Sequence, residues 1–210
     1  MAKIYSLNNL KFKDVINIEV FAIEFIESNL NILDYDALIF TSKNAIYAID
    51  SFNKEWINVP SYAIAPKTAE VINKANGKLV FTGISSHGNE FAQELIPLLK
   101  DKKVLYIKAE KTVSSLMKIL KNNDININEL VTYKTSCKSS SIKLEKDSVI
   151  IFSSPSSVNC FFKNYEWDKS YKAVVIGKTT ANYLPNNINY TLSSKTSIEE
   201  CINLAKQLLL

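Results

Sequence analysis

Two stretches of this chain read alike at one fixed offset, and that repeat limits the fold more than any bulk property does. LIFTSKNAI (residues 38–46) aligns without a gap with IIFSSPSSV (150–158), and YAIAPKTAEVI (62–72) with VVIGKTTANYL (174–184), both displaced by 112 positions. Phe40/Phe152, Ser42/Ser154, Ile64/Ile176, Thr68/Thr180 and Ala69/Ala181 are identical pairs. The match also keeps an order: apolar run, hydroxyl residues, helix-like segment. A repeat of this length is too long for a solenoid unit and suits a whole small domain. The 210 residues are therefore expected to hold two related domains, facing each other or stacked.

Composition permits this and removes several function classes. With 47% hydrophobic and 22% charged residues, the chain can bury a core. No run approaches the roughly 20 apolar residues that span a bilayer, and MAKIYSLNNLKFKD lacks the apolar core and cleavage site of a secretory signal. A cytoplasmic protein with no membrane role is expected. Cys137, Cys160 and Cys201 are odd in number and widely spaced, which fits reduced packing thiols better than a disulfide framework or zinc site. All 25 basic residues are lysine, so cations here are flexible point charges without bidentate geometry. A net charge of +4, carried by scattered lysines, argues against nucleic acid as a partner.

Strand and helix signals alternate along the chain. Lys3 to Leu7, Asn17 to Ile23, Ala37 to Phe40, Tyr62 to Ala65, Val104 to Lys108, Asn128 to Ser136 and Ala173 to Gly177 read as strands. Ala45, Ile46, Ile49 and Phe52 recur at helical spacing after Thr41 and Ser42, and Ser154-Pro155 starts a matching helix with Val158, Phe161 and Phe162 on its apolar face. Further helices are expected from about Lys67 to Lys74, around Leu116 to Leu120, from about Thr179 to Leu184 before Pro185, and from Ser197 to Leu209. This alternation argues for parallel sheets in an α/β architecture, with ligands beyond the carboxyl ends of the strands.

The chemistry concentrates where those strands end. Thr41 and Ser42, Thr68, Ser153 and Ser154, and Thr179 and Thr180 each stand at a helix start. Uncommitted N–H groups and the positive end of the helix dipole there can hold a carboxylate. Simple helix capping is the competing reading of each site. Four such seats in two matched domains suit a ligand with several carboxylates, held in one cleft if the domains face each other. His87, the only histidine, lies in the loop-like SSHGNE and reads as a surface residue, so neither a histidine-bearing zinc site nor a Ser-His-Asp triad is supported. Gly77, Gly83, Gly88 and Gly177 form no GxGxxG or P-loop, so no nucleotide cofactor is expected.

DALIFTSKNAI, YAIAPKTAEVI, ELVTYKT, VIIFSSPSSV and AVVIGKTTANYL, in this order and at these distances, resemble the uroporphyrinogen-III synthase family from about residue 34 to the carboxyl end. The resemblance implies two flavodoxin-like parallel-sheet domains, one inserted in the other and joined by a two-stranded β linker. Residues 1–16 with 136–210 would form the discontinuous domain, 24–129 the inserted one, and 17–23 with 130–135 the linker strands. It also implies a cofactor-free lyase that closes the linear tetrapyrrole hydroxymethylbilane into uroporphyrinogen III with inversion of ring D in haem biosynthesis; a monomer is expected. That substrate carries eight carboxylates. Tyr133 matches the family's cleft tyrosine, proposed to help the substrate hydroxyl leave as a general acid. Ser42, Thr68, Ser154 and Thr180 match hydroxyls near substrate carboxylates. Lys108 falls where a basic residue often precedes a glycine, although Ala109 follows it here, and Lys178 is a further cation at the second-copy seat.

Two readings from other classes stand beside this one. A two-lobed α/β chain with carboxylate seats also fits a binding protein that closes around a polycarboxylate. A synthase-like domain without activity fits too, because fold alone does not fix function.

Overall fold

The computed structural model describes residues 2–7 and 10–209. In chain order the strands are β1 (Ile4–Ser6), β2 (Ile16–Asn17), β3 (Phe21–Phe25), β4 (Ala37–Phe40), β5 (Ser61–Ala63), β6 (Leu79–Thr82), β7 (Val104–Ala109), β8 (Ile127–Cys137), β9 (Val149–Phe152), β10 (Lys172–Val175) and β11 (Tyr190–Leu192). The α-helices are α1 (Lys43–Phe52), α2 (Pro66–Lys74), α3 (Gly88–Leu99), α4 (Leu116–Lys121), α5 (Pro155–Asn164), α6 (Lys178–Ala181) and α7 (Ile198–Leu209). The chain divides into two compact units, residues 1–22 with 136–210 and residues 23–135. Met1, Asn8, Asn9 and Leu210 fall in the stretches assigned above to the discontinuous domain and lie outside the described residues.

In the unit of residues 23–135 the sheet runs β3-β8-β7-β4-β5-β6. Strands β4 to β8 pair in parallel. β3 is antiparallel to β8, since Ile26 N–H donates to the Thr132 carbonyl and Lys138 N–H to that of Val20. ALIF of β4 is buried throughout, as the central strand of a parallel sheet covered on both faces must be. One face packs Leu38, Phe40, Leu105 and Ile107 against Ile46, Ile49 and Trp56. The other packs Ile39 and Tyr106 against Phe91, Leu95 and Leu120. The Trp56 indole is fully buried and donates to Asp50 Oδ1 at 3.0 Å, which satisfies its one polar atom.

The other unit repeats this plan with a different chain order. Its parallel sheet runs β11-β10-β9-β1-β2. In sheet order, β9, β10 and β11 stand where β4, β5 and β6 stand in the first sheet, and β1 and β2 occupy the places of β7 and β8. Strands that follow in one unit precede in the other. β9 (VIIF) is the buried centre, flanked by Phe152, Phe161 and Tyr5 on one side and by Ile151, Val174, Cys201 and Ile202 under α7 on the other.

The α/β class and the parallel strands agree with expectation, and four local features differ. Asn17 to Ile23 is not one strand: β2 ends at Asn17 and β3 begins at Phe21 in the other sheet, with Ile18 and Val20 fully buried between them. The helix expected to reach Leu184 stops at Ala181 and relaxes into i→i−3 turn bonds from Tyr183 and Leu184. Pro185 explains this, because the residue before a proline is pushed out of the helical region. Like β6 and β11 among the strands, α3 among the helices has no expected counterpart. It begins at Gly88, where any Cβ would lie 2.4 Å from the Ser114 Cβ, and it carries Pro97 inside its last turn.

The fourth difference concerns the cysteines. Cys137 at the end of β8 and Cys160 on α5 form a disulfide across a sequence separation of 23, and only Cys201 is free. Spacing along the chain gives no sign of it, because the two meet only when β8 crosses α5. We predict that unfolded, unreduced protein titrates one thiol and fully reduced protein three. Reduction should lower stability by roughly 3 kcal/mol through the loop it opens; three titratable thiols before reduction would refute the cross-link.

Candidate functional site

Doubly wound sheets gather ligands outside the carboxyl ends of their strands, at the point where strand order reverses. In the unit of residues 23–135 that point lies between β4 and β7, and in the other between β9 and β1. The sequence-predicted residues fall at these ends. Thr41 and Ser42 follow β4, Thr68 lies in the first turn of the helix after β5, Lys108 stands near the end of β7, and Tyr133 lies on β8 beside it. In the second unit Ser153 and Ser154 follow β9, and Lys178, Thr179 and Thr180 follow β10. A cavity of about 650 Å3 bounded by Ile4, Asp14, Ile16 and Lys206 lies at the amino ends of β1 and β2, the edge without this chemistry.

A hydroxyl spans each switch point. Thr41 Oγ1 lies 2.8 Å from the Tyr106 phenol oxygen, bridging β4 to β7. Ser153, its counterpart in the repeat, donates from Oγ to the Leu7 carbonyl at 3.3 Å, bridging β9 to the end of β1. Tyr106 is not among the residues that the sequence singles out. It sits inside a run of apolar strand residues, and only the pairing of β7 with β4 brings its phenol to Thr41.

The four helix starts separate into two kinds. Ser42 accepts from the Asn44 N–H at 3.2 Å, and Ser154 accepts from the Ser157 N–H at 3.1 Å within a capping box. These two serines cap their own helices. The N-caps of α2 and α6 are instead Ala65 and Gly177, and neither carries a side-chain capping bond. Thr68 and Thr180 stand at the third helical position in each case, and both are buried. Lys178 and Thr179 are exposed. Lys108 is not a free cation, because its ammonium lies 3.2 Å from the Glu129 carboxylate with its side chain only 11% exposed.

Tyr133 owes its position to a bulge. β7 and β8 stay in register from Val104↔Ile127 to Lys108↔Val131, and then Ala109 pairs with Tyr133, leaving Thr132 as an extra residue. A one-residue slip turns later side chains to the opposite face. Tyr133 therefore packs with Leu130, Phe40 and the α1 side of the sheet. Thr132 is fully buried there, with a hydroxyl that has no hydrogen-bond partner. Burial raises the Tyr133 pKa above the ordinary phenol value, and a hydrogen bond with the Ser42 side chain opposes that rise.

Burial likewise pushes Tyr106 up to about 12, with the bond to Thr41 opposing and the nearby Tyr133 and Glu129 adding to the rise. A phenol harder to ionise folded than unfolded contributes stability that is complete below pH 10 and is lost as pH climbs toward 12. That loss should reach roughly 3 kcal/mol for Tyr106. Denaturant unfolding from about pH 9 to about pH 12 should show a shallower alkaline decline in Tyr106→Phe than in the unaltered protein; parallel curves would contradict it.

Among the described residues no cluster of three or more His, Cys, Asp or Glu side chains could hold a metal ion, and no helix is long and apolar enough to cross a membrane. Two doubly wound units with hydroxyls across their switch points define a two-unit α/β protein. A family model described as uroporphyrinogen-III synthase HemD matches residues 14–203. The chain belongs to the uroporphyrinogen-III synthase family, whose members are enzymes. The structure is similar to a crystal structure of uroporphyrinogen-III synthetase from Helicobacter pylori 26695, with a TM-score of 0.87 and 29% identity over 99% of this chain and 100% of that one. It also shares its fold with a mutant uroporphyrinogen III synthase from the extremely thermophilic bacterium Thermus thermophilus, at a TM-score of 0.59 and 12% identity over 100% and 99% of the two chains. No curated protein sequence matches significantly.

Proposed function

We propose that this chain is a uroporphyrinogen-III synthase, a hydro-lyase that cyclises hydroxymethylbilane to uroporphyrinogen III with loss of water and inversion of ring D. The observation that carries the reading is the family match over residues 14–203, joined to a full-length structural likeness. The carboxyl-end hydroxyls support it, because a substrate with eight carboxylates needs many anion contacts and this chain has no arginine.

The reaction begins when the hydroxyl of the ring A hydroxymethyl group departs as water. Tyr133 gives the proton. The azafulvenium cation left behind is attacked by ring D at its substituted carbon, and the spiro intermediate fragments and recloses with ring D inverted. The proton released as the last pyrrole regains aromaticity restores the phenol. Burial makes Tyr133 a persistent donor through the neutral range and a weak acid, so its main contribution is a hydrogen bond that strengthens as charge develops on the leaving oxygen. Closure without an enzyme gives the uninverted isomer, so most of the catalytic task is geometric, and positioning groups outnumber proton-transfer groups.

Among the carboxylate seats, Thr68 and Thr180 rank above Ser42 and Ser154, whose hydroxyls are engaged in capping. The first turn after Ala65 has no side-chain cap, and since Pro66 has no N–H and those of Thr68 and Ala69 donate to the Ala65 carbonyl, the Lys67 N–H and the Thr68 hydroxyl are the groups left to meet an anion. Lys178 and Thr179 are exposed cation and hydroxyl partners at the second seat. Lys108, paired with Glu129 across β7 and β8, ranks below these as a substrate contact.

The test is chemical. Purified protein supplied with freshly generated hydroxymethylbilane should yield mainly isomer III after oxidation and separation of the products, whereas isomer I alone would defeat the proposal. Tyr133→Phe should slow isomer III formation by roughly 10- to 100-fold with the melting temperature little changed; unchanged turnover would remove Tyr133 from proton transfer. Thr68→Val should raise KM roughly 3- to 30-fold with kcat nearly constant, as expected for loss of a hydrogen bond to a carboxylate. An unaltered KM would leave Thr68 with a packing role alone.

A further inference from the structure

We infer that Tyr106 is a positioning residue that acts through Thr41: it donates its phenolic proton to Thr41 Oγ1, and so leaves the Thr41 O–H to donate to a substrate carboxylate. The inference rests on the function proposed above and deepens it by adding a residue from outside the first set of candidates.

The register places the pair. Tyr106 lies directly beside Ile39 in the parallel ladder, and Thr41 is two residues further along the same face, so the phenol reaches past the end of β4 to the switch point. The contact is 2.8 Å long, and geometry alone permits either oxygen to donate. Burial decides the direction. Tyr106 is 1% exposed in a largely apolar cluster, and among the described residues Thr41 is the hydrogen-bond partner of its phenol. If Thr41 donated, the phenolic O–H would be left buried without a partner, a penalty of about 1 to 3 kcal/mol. The Glu129 carboxylate is near enough to act on the phenol electrostatically but forms no hydrogen bond with it, its partner being the Lys108 ammonium. A phenol is also the stronger donor of the two, and this one remains protonated at every physiological pH.

The repeat supplies a contrast within the same molecule. Ser153 spends its own proton on the Leu7 carbonyl, so its oxygen faces any ligand chiefly as an acceptor. Thr41, half-buried and accepting from Tyr106, keeps its proton. Two positions equivalent in sequence thus differ in polarity, and only the one beside Tyr106 suits an anion. Accepting one bond also polarises the Thr41 hydroxyl and strengthens the bond it gives.

The experiment is steady-state kinetics of isomer III formation in the full-length protein for Tyr106→Phe, Thr41→Val, Thr41→Ser and the Tyr106→Phe/Thr41→Val double variant, with melting temperatures at neutral pH. Tyr106→Phe should raise KM about threefold to tenfold with kcat within about twofold of the unaltered protein. Thr41→Val should do at least as much, and Thr41→Ser should restore the original KM. The double variant should be no worse than Thr41→Val alone, because Tyr106 acts only through that hydroxyl. An unchanged KM in Tyr106→Phe, or effects that multiply in the double variant, would overturn the inference while leaving the synthase activity standing. Isomer I alone from the unaltered protein would instead remove the proposed function, and this inference with it.

Discussion

Everything in this structure depends on burying two four-residue strands, Ala37–Phe40 and Val149–Phe152, on both faces at once. Each residue of such a strand must be apolar, and each backbone group must be paired by neighbours on both sides. The chain meets the second demand with parallel partners, which require crossover connections and align the helix starts at one end of the strands in each sheet. The hydroxyl residues after each central strand thus reach the carboxyl edge as a consequence of the sheet. Chemistry then requires only that a few of those groups remain uncommitted.

Several levels of this outcome are legible in the sequence. The fold is readable because the repeated segments carry strong, local signals: a continuous apolar run, a hydroxyl cap, and apolar residues at helical spacing. β4 and β9 occupy the aligned positions, and α1 and α5 begin at matching residues. What escapes is whatever depends on contacts between distant segments. The bond between Cys137 and Cys160 needs β8 and α5 brought together. The role of Tyr106 needs β7 laid against β4. The side of the sheet on which Tyr133 stands is set by one extra residue in a ladder whose register no single strand specifies. α3 is hidden for another reason, since its glycine start and internal proline are both poor helix formers whose presence packing overrides.

The candidate site shows how a repeat diverges without losing its shape. Hydroxyls recur at equivalent places, but their partners do not. Ser42 and Ser154 are drawn into capping, Ser153 into a backbone bond, and Lys108 into an ion pair. A motif that looks fourfold in sequence therefore resolves into a smaller set of groups with capacity to spare. Hydrogen-bond accounting, more than residue type, separates a group that holds the protein from one that holds a ligand.

The exchange of β1 and β2 for the places of β7 and β8 has a consequence for biogenesis. Residues 21–137 contain every strand of the six-stranded sheet and can complete it as soon as they leave the ribosome. β1 has no such opportunity: Ile4 is in register with Val149, which is synthesised far later. β1 can pair with β2 but must wait, with its other side unsatisfied, until β9 is made. Nascent chains stalled before β9 would thus carry one finished sheet and a β1 that lacks its partner on the β9 side.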